Sequence, residues 1–191
     1  MNILTKLDNI SKRLKLHLPE LLGLLLSIFV FAIVLIPRDL QFLKYISVLT
    51  RYNATYLIPV ISIAFFLIFS IPNQKISNLL LSAFIFLLFA LALNGLWSSA
   101  YTENYVISGL IPRSDAFSIY TGSLSFLETG YIENIASRRP IYGAFLAAVL
   151  SLTNGHFQAA LAILTIISAL SLLISFQSIK IQPCCQNLIT Y

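Results

Sequence analysis

The chain has 191 residues, of which 58% are hydrophobic and 10% are charged, and its formal net charge is +5. Soluble globular domains carry about 25% charged residues, so this composition excludes a water-soluble or DNA-binding protein. We therefore expect an integral membrane protein whose basic residues contact lipid phosphates, with no nucleic acid among its partners.

Apolar segments of near-spanning length alternate with polar stretches along the chain. A spanning helix needs about 20 apolar residues, because the hydrocarbon core is about 30 Å thick and each residue rises about 1.5 Å. The segments 18–37, 56–72, 76–97 and 157–176 approach this length. Ile141–Thr153 would extend only about 20 Å, so it recruits flanking residues, lies in thinned bilayer or enters a protein-lined cavity. The pattern predicts an all-α, polytopic transmembrane bundle of about five hydrophobic helices.

The polar stretches divide the chain into consecutive parts. A basic N-terminus (1–17) precedes three transmembrane helices (18–97). An outer loop (98–140) is followed by two further membrane helices (141–176) and by a tail without helical periodicity (177–191). In this organisation the outer loop is the part of the chain with the most polar chemistry.

Basic residues near the ends of the apolar segments predict the orientation of the chain. The N-terminus carries Lys6, Lys12, Arg13 and Lys15. Lys75 falls on the same side, so Arg38–Thr55 and Trp97–Pro140 are predicted to lie outside. We expect the protein in the plasma (inner) membrane, with its N-terminus in the cytoplasm.

The outer loop contains a helical pattern. Aromatic and leucine side chains recur at alternating spacings of three and four: Phe117, Tyr120, Leu124, Leu127 and Tyr131. Ser114 is a good N-cap, Asp115 falls in the first turn, and Gly130 is placed to end the helix. We predict an amphipathic surface helix with its aromatic face among the lipid headgroups. The opposite side would face water or a cavity and carries Ser123, Ser125 and Glu128.

Asp115 admits two interpretations. It can be a structural carboxylate that the positive end of the helix stabilises by about 0.3–1 kcal/mol. It can instead be a general base or a metal-binding carboxylate at the mouth of a membrane-embedded site.

Arg138 and Arg139 precede Pro140 at the start of the short apolar segment. The two arginines can anchor that helix by extending to lipid phosphates. Alternatively, their guanidinium donors bind the phosphate of a lipid-linked substrate. In both cases Pro140 at the first helical position marks the start of the helix.

Several short motifs of this loop occur together. They are Arg113-Ser114-Asp115-Ala116, Tyr120, Leu124, Leu127-Glu128-Thr129-Gly130 and Arg138-Arg139-Pro140-Ile141-Tyr142-Gly143. In combination they resemble the first luminal loop of GT-C-type glycosyltransferases, the polytopic enzymes related to protein mannosyltransferases and lipid A aminoarabinose transferases. The resemblance extends over roughly Ile76 to Phe176.

The resemblance implies transfer of a sugar from a polyprenyl-phosphate carrier to an acceptor on the outer face. It implies that Asp115 is the catalytic carboxylate, that Arg138 and Arg139 lie near the donor phosphate, and that Tyr120 binds substrate. A divalent metal ion is an optional cofactor, and the residues define no ligand set for it. The expected partners are membrane lipid and the polyprenyl-phosphate sugar donor, and the sequence identifies no protein partner.

Length separates this chain from the family that it resembles. Family members have many further helices and a second acidic loop, so the resemblance implies a truncated transferase. The alternative function is that of a small non-enzymatic membrane protein, acting as a scaffold or as a subunit of a complex. A transporter core is disfavoured, because no charged residue lies in the central part of an apolar segment.

Overall fold

The computed structural model describes residues 18–36, 40–99, 101–108 and 110–181, which are almost entirely helical. In chain order the elements are α1 (Leu18–Leu35), α2 (Gln41–Tyr52), α3 (Ala54–Phe69), α4 (Gln74–Ser98), β1 (Val106–Ile107), β2 (Ile111–Pro112), α5 (Asp115–Thr129), a 3-10 helix (Asn134–Arg138), α6 (Pro140–Leu152) and α7 (Phe157–Ile181). The helical fold class is confirmed, and a small antiparallel hairpin of β1 and β2 is added to it. The predicted N-terminal part (1–17) and residues 182–191 of the predicted tail lie outside the described residues.

Two helices of the described chain are long and apolar enough to cross a membrane. They are α4, with 25 residues, and the first 20 residues of α7. The pair α2 and α3 passes the same test together, but the two helices meet at an angle of 99°. The structure therefore gives two or three candidate spans, consistent with an integral membrane protein, and the prediction of about five is not confirmed.

Helix α1 lies beside α4 and runs in the same direction. Gly23 faces Ser82, the Ser27 hydroxyl oxygen lies 3.0 Å from that of Ser82, and the Phe31 ring meets the Phe86 ring edge-on at 6.3 Å. Contacts that advance together along both helices require a parallel pair. Apolar packing then buries a cluster that we call the α4 core: Phe31, Val34, Leu81, Ile85, Phe86, Ala90, Leu91, Leu93, Leu96, Ala169 and Leu173.

Helix α2 (Gln41–Tyr52) lies within the segment Arg38–Thr55, which the sequence predicted only as an outer connection. It packs on the C-terminal part of α4, where the Asn94 side-chain amide donates to the Ser47 hydroxyl at 2.9 Å. A Cβ atom at Gly95 would overlap the Ser47 carbonyl oxygen and lie 2.6 Å from its carbon. The glycine thus allows the two backbones to touch, and the contact places α2 at the end of α4 from which the outer loop begins.

Helix α3 returns antiparallel to α4. Its C-terminal Ile68 carbonyl accepts a hydrogen bond from the Ser77 hydroxyl at 2.9 Å, close to the start of α4. One turn earlier, the Phe65 ring meets Phe84 edge-on at 5.2 Å. Later positions in α3 therefore contact earlier positions in α4, as in any antiparallel pair.

Helix α7 is also antiparallel to α4. Its Phe176 ring stacks on Phe65 at 5.4 Å, beside the N-terminal half of α4. Fifteen residues earlier, Leu161 still packs against the α4 core. Phe157 therefore lies towards the end of the bundle where α4 ends. The helix continues to Ile181, so the predicted tail begins within it.

A second cluster, the loop core, joins α5, α6 and the start of α7. Its buried residues are Ile119, Leu146, Val149, Leu150 and Ala160. The Ser123 side chain is 0% exposed, and its hydroxyl lies 3.1 Å from the Gly143 carbonyl oxygen. The prediction that Ser123 faces water or a cavity is wrong, because α6 packs on that side of α5.

Local sequence signals set the helix boundaries. The Asn73 side chain accepts a hydrogen bond from the Lys75 amide at 3.1 Å and so caps α4. Gly130 has φ +79° just after α5, which confirms it as the residue that ends this helix. Pro140 is in the first turn of α6, and Gly155, with φ +77°, lies in the turn that follows.

Candidate functional site

The start of α5 carries the acidic residue of the outer loop. Asp115 lies in the first turn, as predicted, and its side chain is exposed. No hydrogen bond or ion pair joins its carboxylate to another residue of the described chain. Ser114 occupies the N-cap position, as predicted, but its side chain makes no capping bond. The carboxylate is thus presented to the surroundings at the positive end of the helix.

Ser114 also has an unusual backbone. Its φ is +55° and its ψ is −128°, a conformation that favours glycine. Such a residue costs about 1–3 kcal/mol and persists only where the surroundings impose it. Here the preceding hairpin supplies the constraint, because the Arg113 amide donates to the Tyr105 carbonyl at 2.7 Å. The hairpin therefore determines where Asp115 is held.

The start of α6 forms an open groove of about 400 Å³, lined by Arg139, Pro140, Ile141, Tyr142 and Phe145. Arg139 is the N-cap residue of α6, and its side chain is exposed like that of Arg138, the last residue of the 3-10 helix. The wall of the groove is almost entirely apolar and aromatic, and Arg139, whose side chain is exposed, lies at its edge. This composition suits a ligand with an anionic head and a hydrocarbon chain.

Asp115 and Arg139 lie at opposite ends of the α5–α6 pair. Ile119 packs with Leu146 and Leu150, whereas Ser123, one turn later in α5, reaches back to Gly143. The two helices therefore run in opposite directions across their contact. At a rise of about 1.5 Å per residue, roughly 15–20 Å separates the backbones of the acidic and basic residues.

Tyr120 joins α5 to the turn between α6 and α7. Its hydroxyl donates to the Gly155 carbonyl at 2.8 Å, and its ring meets Phe157 edge-on at 5.5 Å. The residue is half-buried at this position. Tyr120 is thus an internal tie of the loop region, about one and a half turns along α5 from Asp115.

An ion pair joins the end of α2 to the outer loop. The Arg51 guanidinium donates to both carboxylate oxygens of Glu103, with the shortest distance 3.0 Å. These hydrogen bonds hold the pKa of the Glu103 carboxyl below its ordinary value, against the opposing effect of partial burial. Next to this pair, the hydroxyls of Tyr52 and Ser99 lie 3.2 Å apart. The contacts bring the two segments that the sequence predicted to lie outside to the same end of the bundle.

Comparison with known protein families, with curated proteins and with solved structures finds no match for this chain.

A protein-only metal site is not evident in the described part of the chain. No group of three or more histidine, cysteine, aspartate or glutamate side chains comes together there. Asp115 is thus a single carboxylate rather than a member of an acidic cluster.

Besides the β1–β2 hairpin, two further features of this region were not anticipated from the sequence. One is α2, whose signal was present as Leu43, Ile46 and Leu49 at spacings of three, opposite exposed charges. The other is the strained Ser114, for which the sequence carries no signal, because serine is also the ordinary choice for an unstrained N-cap.

Proposed function

We propose that this chain acts as a GT-C-like glycosyltransferase that transfers a sugar from a polyprenyl-phosphate donor at the outer membrane face. The observation that carries the proposal is the groove at the start of α6. An isoprenoid chain needs an apolar surface, and its phosphate needs fixed donors beside that surface. Ile141, Tyr142 and Phe145 supply the apolar surface of the groove. Arg139, at its edge, supplies the donors for the phosphate.

The bond changes of the reaction assign separate roles to the acidic and basic residues. An acceptor hydroxyl or amine attacks the anomeric carbon, a new glycosidic bond forms, and the bond from that carbon to the phosphate oxygen breaks. The acceptor proton passes to the Asp115 carboxylate. The polyprenyl phosphate leaves with the bonding electrons, and Arg138 and Arg139 stabilise its charge.

The separation of the two groups supports these roles. A base and a leaving-group stabiliser act on opposite sides of the anomeric carbon, so a sugar ring and an acceptor atom must fit between them. Asp115 and the two arginines are all exposed, at opposite ends of the α5–α6 pair. The strained Ser114 beside Asp115 is a second supporting observation, since backbone strain concentrates at functional sites.

The binding step is tested with the full chain in lipid nanodiscs and a short-chain polyprenyl phosphate as the probe. We expect Arg139→Ala to weaken binding by roughly 10-fold or more, because a charge-assisted contact contributes about 1.5–3 kcal/mol. Lys44→Ala is the matched control, since Lys44 is an exposed cation on α2, away from the groove. Equal binding of the phosphate and of the uncharged polyprenol would exclude the proposed role of Arg139.

The transfer step is tested in the same nanodiscs with a panel of polyprenyl-phosphate sugars and soluble acceptors. Release of free polyprenyl phosphate is the readout. We expect Asp115→Asn to reduce release by about 10²–10⁴-fold, the usual contribution of a general base. Glu128→Gln, an exposed carboxylate on the same helix, is the control and should retain the rate. Undiminished release by Asp115→Asn would remove Asp115 from the mechanism.

A second candidate function is that of a non-enzymatic subunit or scaffold, and helix α3 favours it. None of the side chains of Ala54–Phe69 is buried, although the helix is predominantly apolar. Lipid alone satisfies such a surface, so this observation ranks below the groove. Co-purification of one stoichiometric membrane partner, lost on Phe66→Glu but retained in Arg139→Ala, would favour the subunit role.

A further inference from the structure

The directions of α4 and α7 restrict the path of the chain between them. α7 runs back along α4, with Phe176 beside the N-terminal half of α4 and Leu161 still against the α4 core. Ser98 at the end of α4 and Phe157 at the start of α7 therefore lie at the same end of the bundle. Everything between these two residues starts and finishes on one side of the membrane that α4 and α7 would cross.

Helix α6 lies between Ser98 and Phe157, so the same restriction applies to it. A single crossing by α6 would bring its end, and hence Phe157, to the opposite side. Its 13 residues (Pro140–Leu152) also extend only about 20 Å, less than the hydrocarbon thickness of about 30 Å. The sequence pattern predicted a membrane helix here. In this fold, both ends of that helix lie on the same side of the membrane.

One side of α6 is not covered by any other part of the described chain. Its buried residues form the side against α5 and the 3-10 helix: Gly143, Leu146, Ala147, Val149 and Leu150. The opposite side is an apolar stripe at helical spacing, Ile141, Phe145, Ala148 and Leu152. Ile141 is 86% exposed and Leu152 is 78% exposed. We call these four residues the α6 stripe.

We propose that α6 is a monotopic helix whose stripe is immersed in the acyl chains of the membrane leaflet on the outer-loop side. The turn of residues 153–156 ties the end of α6 directly to the first residue of a spanning helix. This short connection keeps the stripe close to the membrane surface at which α7 enters the bilayer. At the other end of α6, the exposed Arg138 and Arg139 lie where they can contact the headgroup phosphates. The helix thus has charged residues at headgroup level and an apolar stripe towards the acyl chains.

The immersion of α6 has a structural consequence for α5. Since α5 packs on the covered side of α6, the α6 helix separates it from the acyl chains along their contact. The buried Ser123 hydroxyl and the Gly143 carbonyl lie in this contact, away from lipid. Asp115 is then held above the leaflet rather than inside it.

The path of the chain is tested by cysteine labelling in sealed, uniformly oriented vesicles. Cys184→Ser and Cys185→Ser remove the native thiols, and single cysteines replace Lys75, Thr102 or His156. A membrane-impermeant maleimide should label Thr102→Cys and His156→Cys from the same side, and Lys75→Cys from the other. Labelling of His156→Cys together with Lys75→Cys would show that α6 crosses, and would overturn the inference.

The immersion of the stripe is tested by fluorescence quenching with lipids brominated in the outer part of the acyl chain. Phe145→Trp in the α6 stripe should be quenched roughly twofold or more, because an interfacial helix buries its apolar face about 5–10 Å deep. Glu128→Trp on exposed α5 is the control, and the parent protein, whose single tryptophan is Trp97, gives the background. Equal quenching of the two variants would show that the stripe is not in lipid. Neither measurement involves sugar or polyprenyl phosphate, so this inference stands or fails separately from the proposed function.

Discussion

In the α4 core, helices pack through apolar side chains over long parallel and antiparallel contacts, whereas in the loop core a few polar ties join short elements. The α4 core draws on α1, α4 and α7 and contains large side chains such as Phe86 and Leu81, both 0% exposed. The loop core is smaller and adds the hydrogen bonds of Tyr120 and Ser123 to backbone carbonyls.

The difference follows from what each region must do. Long apolar helices are held mainly by packing contacts, to which a few hydrogen bonds such as that from Asn94 to Ser47 are added. The loop region is built from short elements, so directed hydrogen bonds and glycine contacts must fix their relative positions. Substitutions at close backbone contacts should therefore damage both regions, and loss of a polar tie should matter mainly in the loop core.

The largest effect is expected from Gly95→Ala. The added methyl group would overlap the Ser47 backbone carbonyl of α2, which cannot move aside as a side chain could. We expect a loss of about 3 kcal/mol in the free energy of unfolding, at the upper end for overpacking. Unfolding in mixed micelles with increasing SDS measures it. Gly23→Ala is the control, because its Cβ would meet ordinary contacts of 3.8 Å or more.

In the loop core the equivalent substitution is Gly122→Ala. Its Cβ would lie 2.6 Å from the Glu133 carbonyl oxygen and 2.8 Å from the Ala136 Cβ. We expect a loss of about 2 kcal/mol, because the 3-10 helix would have to shift away from α5. The same titration, followed by protease cleavage within residues 130–139, measures it. Gly143→Ala, with its nearest contact at 3.4 Å, should change little, and an equal loss there would contradict the assigned cause.

A smaller effect is expected from Tyr120→Phe. This change keeps the ring against Phe157 and removes the hydrogen bond to the Gly155 carbonyl. The expected loss is about 1 kcal/mol, the usual net value of one hydrogen bond. Tyr131→Phe, at an exposed tyrosine whose hydroxyl has no bond within the described chain, is the control. Equal stability of the two variants would show that this polar tie does not hold the loop core together.

The smallest effect concerns the Arg51–Glu103 pair, whose side chains are 38% and 26% exposed. Because the pKa of Glu103 is lowered in the folded protein, the pair stabilises the fold above the ordinary pKa of about 4.3, and this stability is lost as the pH falls below it. Partial exposure limits the contribution to less than about 1 kcal/mol. Glu103→Gln should therefore be less stable than the parent at pH 7, and the difference should shrink as the pH falls below about 4.3. A difference that stays constant over this acid range would show that the ion pair is not its cause.

Local chemistry explains which parts of the fold were predictable. Asn73 and Gly130 act within one turn of the helices that they bound, so their roles could be assigned from neighbouring residues alone. The position of Asp115 in the first turn of α5 was predictable for the same reason. Ser123 was misassigned because its burial depends on Gly143, twenty residues away in the chain.

The candidate site shows the same division. The sequence identified Asp115, Arg138 and Arg139 as its polar residues, but the distance between acid and base follows from how α5 crosses α6. The groove beside Arg139 is likewise a product of packing. Neither property has a local signal, because both depend on contacts between separate elements.

By itself, the sequence determined that the chain is apolar, helical and interrupted by one long polar loop, since hydropathy and turn residues act locally. It also determined where helices such as α4 and α6 begin and end. The tertiary structure alone decided that α7 runs back along α4, so that the loop region begins and ends at one end of the bundle. The reason is that the direction of a helix is set by which side chains it meets, such as Phe176 on Phe65, and no pattern within a single helix specifies that partner.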